Sequence, residues 1–269
     1  MSLALVKEIR RVRDSVSVRS VTRVPEHPVE FATSVGIIPD PWQIEVLASD
    51  HPRKILCCGR QTGKSTVGAI LAVHKALTVP GSTVLVVAPG ERQAKLLFSK
   101  ARRLYEMAGH PLPAHSERRT GLELSNGSII EALPAVERTT RGYSVDLLVV
   151  DEAAAVQDQD YHGILPALIA TQGEQVLLST PRGKRGFFHE IWESEDDWQR
   201  MIIRSDEVPR IRSEDLEVFR SAMPEQFFRQ EFYCEFLDTE GGLFSYEDIE
   251  DALAAGEDVA AIEIGEDEW

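Results

Sequence analysis

The chain has 269 residues, 44 of them acidic against 29 lysines and arginines, for a formal net charge of −15. That length suits one large α/β domain with a sizeable core, and a hydrophobic fraction of 43% excludes wholesale disorder. The longest apolar runs, at 84–88 and 147–150, are strand-sized and far short of the ~20 residues that span a bilayer. No apolar signal core opens the chain, and three cysteines cannot close a disulfide framework, so a reducing, intracellular setting is expected.

The charge is unevenly placed. Residues 239–269 hold 11 acids and no lysine or arginine, whereas residues 1–24 hold six basic side chains and two acids. Residues 1–238 taken together are nearly neutral, with 33 acids against 29 basic residues, so the acidic total does not exclude a polyanionic partner. The expected organisation is a basic N-terminal arm (1–35), an α/β core (36–204), a small helical subdomain (205–238) and an acidic tail or linker (239–269). The arm carries Val6, Ile9 and Val12 at helical spacing and reads either as a docking helix or as a solvated extension.

From residue 41 strands alternate with helices. RKILCC (53–58) is a buried strand, followed by a helix from Lys64 to about Leu77. STVLVVA (82–88) is a second strand. Residues 90–109 form an amphipathic helix with Ala94, Leu97, Ala101, Leu104 and Met107 on one face and Gly109 near its end. Residues 121–133 read as a β-hairpin turning at Asn126-Gly127, the pair favoured in a two-residue type I′ turn. DLLVVDE (146–152) and EQVLLST (174–180) complete four apolar strands. Apolar runs separated by helices indicate a mostly parallel sheet covered on both faces, with ligands at the carboxyl ends of the strands. Residues 205–238 turn helical, with Ser213 as an N-cap and Pro224 in a first turn.

Between the first strand and helix lies CCGRQTGKST (57–66). It follows the phosphate-loop pattern G-x-x-x-x-G-K-[ST], except that Cys58 stands where the first glycine would be. Gly59, Arg60, Gln61, Thr62, Gly63, Lys64, Ser65 and Thr66 are therefore the candidate phosphate cradle. Lys64 is expected to reach the β- and γ-oxygens, and Ser65 to offer its hydroxyl to Mg²⁺. Asp151, at the carboxyl end of a buried strand, is the second candidate for the Mg²⁺ shell. Glu152 follows as candidate general base, which favours hydrolysis over a simple nucleotide switch. Upstream, Gln43 in PDPWQ (39–43) has one donor and one acceptor face, which suits the adenine edge and favours ATP. Cys57 and Cys58 are expected to pack inside their strand. Phe187, Phe188, Trp192 and Trp198 are expected in the core. The seven histidines show no metal-ligand spacing.

P-W-Q, GRQTGKST, T-R-G-Y-S-x-D-L-L-V-V-D-E-A and L-L-S-T-P-R-G, in this order over about residues 36–240, resemble the ATPase domain of the large terminase subunit, the DNA-packaging motor of tailed double-stranded DNA viruses. The resemblance implies a three-layer P-loop (RecA-like ASCE) α/β fold with a small helical lid. It also implies Mg²⁺-dependent ATP hydrolysis that drives double-stranded DNA into a capsid. Arg60 resembles the loop arginine that reaches the γ-phosphate or Glu152. Ser179 and Thr180 sit where such motors couple hydrolysis to movement. Arg141 resembles an arginine supplied in trans within a ring of copies, with Arg138 its rival three residues away. The implied partners are further copies of the chain, the viral portal and the small terminase subunit, with no membrane. The implied setting is the infected cell's cytoplasm, transiently at the capsid portal.

Packaging must ignore sequence, so DNA would be held through its phosphates. Arg182, Lys184 and Arg185, beside the coupling strand, are preferred over Arg102, Arg103, Arg118 and Arg119. Large terminases continue into a nuclease domain with clustered metal-binding carboxylates. The residues after 238 are too few to form one, and no nuclease activity is expected from this chain. A helicase-like motor and a nucleotide-dependent docking module stand as alternatives.

Overall fold

The computed structural model describes residues 23–136 and 142–237. The basic segment before residue 23, residues 137–141 with both Arg138 and Arg141, and the acidic stretch from residue 238 lie outside the described residues.

The apolar runs become β1 (Arg53–Cys58), β2 (Thr83–Ala88), β6 (Leu147–Asp151) and β7 (Glu174–Ser179), joined by β3 (Ala114–Glu117), β4 (Gly121–Leu124), β5 (Ile129–Pro134) and β8 (Gln199–Ile203). They form one sheet in the order β3-β4-β5-β2-β6-β7-β1-β8, parallel from β5 to β8 and antiparallel only at β3-β4-β5. Around it lie α1 (Pro28–Ser34), α2 (Pro41–Ala48), α3 (Lys64–Thr78), α4 (Glu91–Met107), α5 (Asp158–Ile164), α6 (Gly186–Glu193), α7 (Ser213–Ala222) and α8 (Glu225–Tyr233).

The missing alternation in the strands has a direct cause. Leu56 and Cys58 pack with side chains of α1 to α4, while Ile55 and Cys57 pack with Tyr161 and Ile164 of α5 and Phe187 and Phe188 of α6. Both faces of the sheet are thus covered, so β1, β2, β6 and β7 each carry an unbroken apolar run. This is the three-layer α/β architecture expected from the sequence. Phe187 and Phe188 are core residues, and Trp192 and Trp198 pack partly buried against the same cluster. Burial pushes the thiols of Cys57 and Cys58 well above the ordinary range, which leaves them packing groups and not nucleophiles. Among the described residues no helix is long and apolar enough to cross a membrane.

Several expectations are corrected. Residues 28–35, assigned to the arm, belong to the core: Phe31 and Ala32 are fully buried, and α1 packs on α3. Met107 is 37% exposed, and Phe98 and Tyr105 fill the buried side of α4 in its place. The hairpin turn is not type I′. Asn126 lacks the positive φ that form requires, and only Gly127 (φ 83°) has it. Asn126 is instead pinned to the end of α3, its Nδ2 donating to the Ala76 carbonyl at 2.9 Å. Strand β8 went unread because an edge strand pairs on one side only and tolerates the polar start Gln199-Arg200. Helix α7 starts one residue earlier than expected, with Arg212 as its N-cap and Ser213 inside it, and α8 starts one residue later, with Pro224 as its N-cap. Leu216, Phe228 and Phe232 give this helical pair a small cluster of its own.

Candidate functional site

The carboxyl ends of β1, β7 and β6 lie side by side, with Cys57 paired to Ser179 and Asp151 to Leu178. Strand β7 thus stands between the loop that leaves β1 and the acidic pair that leaves β6. Crevices at such strand ends are where open α/β sheets bind ligands.

Loop 59–63 is tied down at its start. The Gly59 amide donates to the Ile203 carbonyl at 2.8 Å and the Arg60 amide to the Glu231 carbonyl at 2.7 Å. Ser205 Oγ donates to the Arg60 carbonyl at 2.8 Å, and the buried Thr62 hydroxyl donates to the Gly59 carbonyl at 2.9 Å. Beyond that point the amides of Gln61, Thr62, Gly63, Lys64 and Ser65 have no acceptor among the described residues. Left-handed φ angles at Gln61 (60°) and Gly63 (95°) curl this stretch. Unpaired amides on a curled loop that opens into a helix make an anion-binding concavity. Three residues of the candidate cradle have amides that are already engaged. The amides of Gly59 and Arg60 are spent on the fold, and that of Thr66 donates to the Gly63 carbonyl at 3.0 Å.

The Arg60 guanidinium donates through Nε to Glu231 of α8, a carboxylate with no exposed surface. The expected reach toward Glu152 or a γ-phosphate competes with that pairing. Gln43 is 6% exposed and lies beside the loop, its Nε2 2.8 Å from where a Gly63 Cβ would stand. Its Oε1 accepts the Asp40 amide at 2.9 Å in a capping box at the start of α2. The acceptor face expected to read adenine is thus already engaged, while the amide donors stay open.

Asp151 is 7% exposed and its Oδ1 accepts the Glu152 amide at 3.1 Å. Glu152 takes a left-handed conformation (φ 54°), which a non-glycine residue holds only where its surroundings impose it. The buried Ser179 hydroxyl accepts the Ala154 amide at 3.1 Å, so the end of β7 holds the turn that follows Glu152. Thr180, the other coupling candidate, is half-buried. Among the described residues there is no cluster of three or more His, Cys, Asp or Glu able to hold a metal. Ser65 and Asp151 alone fit a hard cation that takes its remaining oxygens from phosphate and water, as Mg²⁺ does.

Of the basic candidates, Lys184 and Arg185 are exposed in the loop before α6 and Arg182 is half-buried. Arg118 is paired with Glu131 at 2.6 Å and Arg102 with Glu106 at 3.4 Å. Sequence reasoning missed Arg210, Glu231 and Lys100. Arg210 donates to Asp40 and to the carbonyls of Gln61 and Thr62. Burial lowers the Lys100 pKa against the opposing pull of Asp151. These residues enter from segments far away in the chain and carry no motif.

A mostly parallel sheet with a helix-capping glycine loop and an acidic strand end at its carboxyl edge defines an α/β protein with an anion-binding crevice at its strand ends. Residues 55–251 match the family described as terminase large subunit, T4likevirus-type, N-terminal, and the chain belongs to that family. The large terminase subunit of Escherichia phage T5 is 30% identical over 221 residues, covering 78% of this chain and 50% of that protein. That of Thermus virus P23-45 is 25% identical over 253 residues, covering 80% and 52%. The chain thus spans about half the length of these relatives. The ATPase domain of the Thermus phage P74-26 large terminase shares the fold at a TM-score of 0.70 and 24% identity, covering 78% of this chain and 99% of that one. The HK97 large terminase does so at 0.64 and 18%, covering 78% and 55%. The resemblance carried by the four motifs is borne out.

Proposed function

We propose that this chain is a Mg²⁺-dependent ATPase that drives double-stranded DNA into a viral capsid. The observation that supports this most is the placement, on either side of β7, of a loop with five unpaired amides and the Asp151-Glu152 strand end. The amides of residues 61–65 would bind the β- and γ-phosphate oxygens, with Lys64 at the start of α3 neutralising their charge. Ser65 and Asp151 would hold Mg²⁺, which supplies charge neutralisation on the phosphates when bound. Glu152 would orient the attacking water and take its proton. The large terminase of a thermophilic bacteriophage has been solved in complex with ADP, which supports adenine nucleotides as the ligand here.

Ser179 would relay the state of this site through its bond to the Ala154 amide. Arg141, or Arg138, would act in trans in a ring of copies. Arg182, Lys184 and Arg185 would meet DNA phosphates. Residues 205–238 would form the lid. The portal and the small terminase subunit would be the further partners, in the cytoplasm of the infected cell. The deciding experiment compares Glu152→Gln with Lys64→Ala. Glu152→Gln should bind ATP as tightly as the wild type and hydrolyse it about a hundredfold or more slowly. Lys64→Ala should lose binding. Full turnover in Glu152→Gln would remove Glu152 from its role. Binding without turnover in the wild type, even with DNA and partners present, would favour a docking module.

A further inference from the structure

We propose that Arg210 is a positioning residue that sets, from outside the loop, the direction in which the phosphate-binding amides point. This rests on the reading of residues 61–65 as the phosphate cradle. Arg210 lies just before α7, in a turn closed by the Ile211 amide donating to the Val208 carbonyl at 2.9 Å. Its Nη1 donates to the Gln61 carbonyl at 2.9 Å, its Nη2 to the Thr62 carbonyl, and its Nε to Asp40 Oδ2 at 3.0 Å.

The consequence follows from peptide geometry. In a planar trans peptide the carbonyl of one residue and the amide of the next point in opposite directions. The chain has no cis peptide among its described residues. With the Gln61 and Thr62 carbonyls turned onto Arg210, the Thr62 and Gly63 amides face the opposite, concave side, where they have no acceptor. If either peptide flipped, a carbonyl oxygen would face the phosphates and repel them. Arg210 opposes that flip at two consecutive peptides.

The side chain suits the task. A guanidinium is a rigid planar fork with donors in several fixed directions, whereas an ammonium is a single point. Asp40 orients the fork, and the same carboxylate belongs to the capping box that engages Gln43. One ion pair thus joins the phosphate loop to the residue expected beside the adenine. Gly63 is part of the fit: a Cβ there would lie 2.7 Å from Arg210 Nη2 and 2.8 Å from Gln43 Nε2.

The test measures equilibrium binding of a fluorescent ATP analogue with Mg²⁺, and its displacement by pyrophosphate, on the full chain. Wild type, Arg210→Ala, Arg210→Lys and Lys64→Ala are compared, with urea unfolding of each. Arg210→Ala should weaken both ATP and pyrophosphate about tenfold or more, as expected when ordered donors lose their orientation. Arg210→Lys keeps the stem and charge of a half-exposed side chain, so it preserves the fold, yet it should not restore affinity. Binding within twofold of wild type in Arg210→Ala, with binding lost in Lys64→Ala, overturns the role of Arg210 alone. Full rescue by lysine overturns it too, because charge would then suffice. A wild-type chain that binds no ATP, or a Lys64→Ala chain that binds it unimpaired, overturns the underlying site reading.

Discussion

Arg60 in the loop and Glu231 in α8, 171 residues apart in sequence, are joined twice: the guanidinium donates to the buried carboxylate, and the Arg60 amide donates to the Glu231 carbonyl. The side-chain pair is asymmetric, since Arg60 is 42% exposed and Glu231 is not exposed at all. A guanidinium that loses this partner can turn to water, while the buried carboxylate that loses Arg60 gives up a charge-assisted hydrogen bond that water does not replace.

Arg60→Ala should therefore destabilise the fold more than Glu231→Gln does. Expected losses are about 3 kcal/mol for the first and about 1 kcal/mol for the second, the latter reduced by solvent at Arg60. Urea unfolding of both variants checks the order. Equal losses would mean that the buried carboxylate is satisfied without Arg60.

Gly59 is held by close approach rather than by phosphate. A Cβ there would overlap Ser205 Oγ and come within 2.7 Å of the Phe232 carbonyl oxygen. Gly59→Ala should cost about 2–3 kcal/mol by overpacking. Adding Ser205→Ala should recover only part, because the Phe232 carbonyl belongs to the backbone. Complete recovery in the double variant would show that Ser205 alone sets the limit.

Ser179→Ala should leave ATP affinity unchanged and slow hydrolysis about tenfold, the scale of one lost hydrogen bond at a site that must hold its geometry. The Ala154 amide loses its acceptor, and the left-handed turn at Glu152 loses its support from β7. Single-turnover hydrolysis beside equilibrium binding separates the two effects. An unchanged rate would detach Ser179 from the chemistry.

Lys54, 4% exposed at the start of β1, has its pKa lowered because burial outweighs the attraction of Glu174 and Asp50. A base with a depressed folded pKa binds protons more tightly when unfolded. Its penalty is therefore absent above the unfolded value near 10.5, grows as pH falls from there to the folded pKa, and is fully present below it. Lys54→Met should stabilise the chain by about 1 kcal/mol at neutral pH, with the gain shrinking as pH rises toward the unfolded value. Urea midpoints at several pH values check this. A gain independent of pH would point to packing instead of charge.

The parts of the site legible in the sequence were those written into contiguous segments. Lys64 and Ser65 follow a loop that must leave a buried strand and open a helix, and Asp151-Glu152 ends a run too apolar to lie anywhere but the sheet. Gly59 and Arg60 were legible as loop residues but not in their roles. Their amides are consumed by Ile203 and Glu231, partners that only the folded chain brings near. Residues 28–35 were misread for a related reason. Their burial comes from packing on α3, and seven helical residues carry too little periodicity to announce it.

The sequence by itself determined the parallel α/β core, the phosphate-loop candidate and its acidic partner, because periodicity and residue chemistry act within a few neighbours along the chain. The tertiary structure alone decided which amides stay free, where the Arg60 guanidinium goes, and that Arg210 grips the loop from a segment nearly 150 residues away. A hydrogen bond is set by distance and direction in space, and separation along the chain encodes neither.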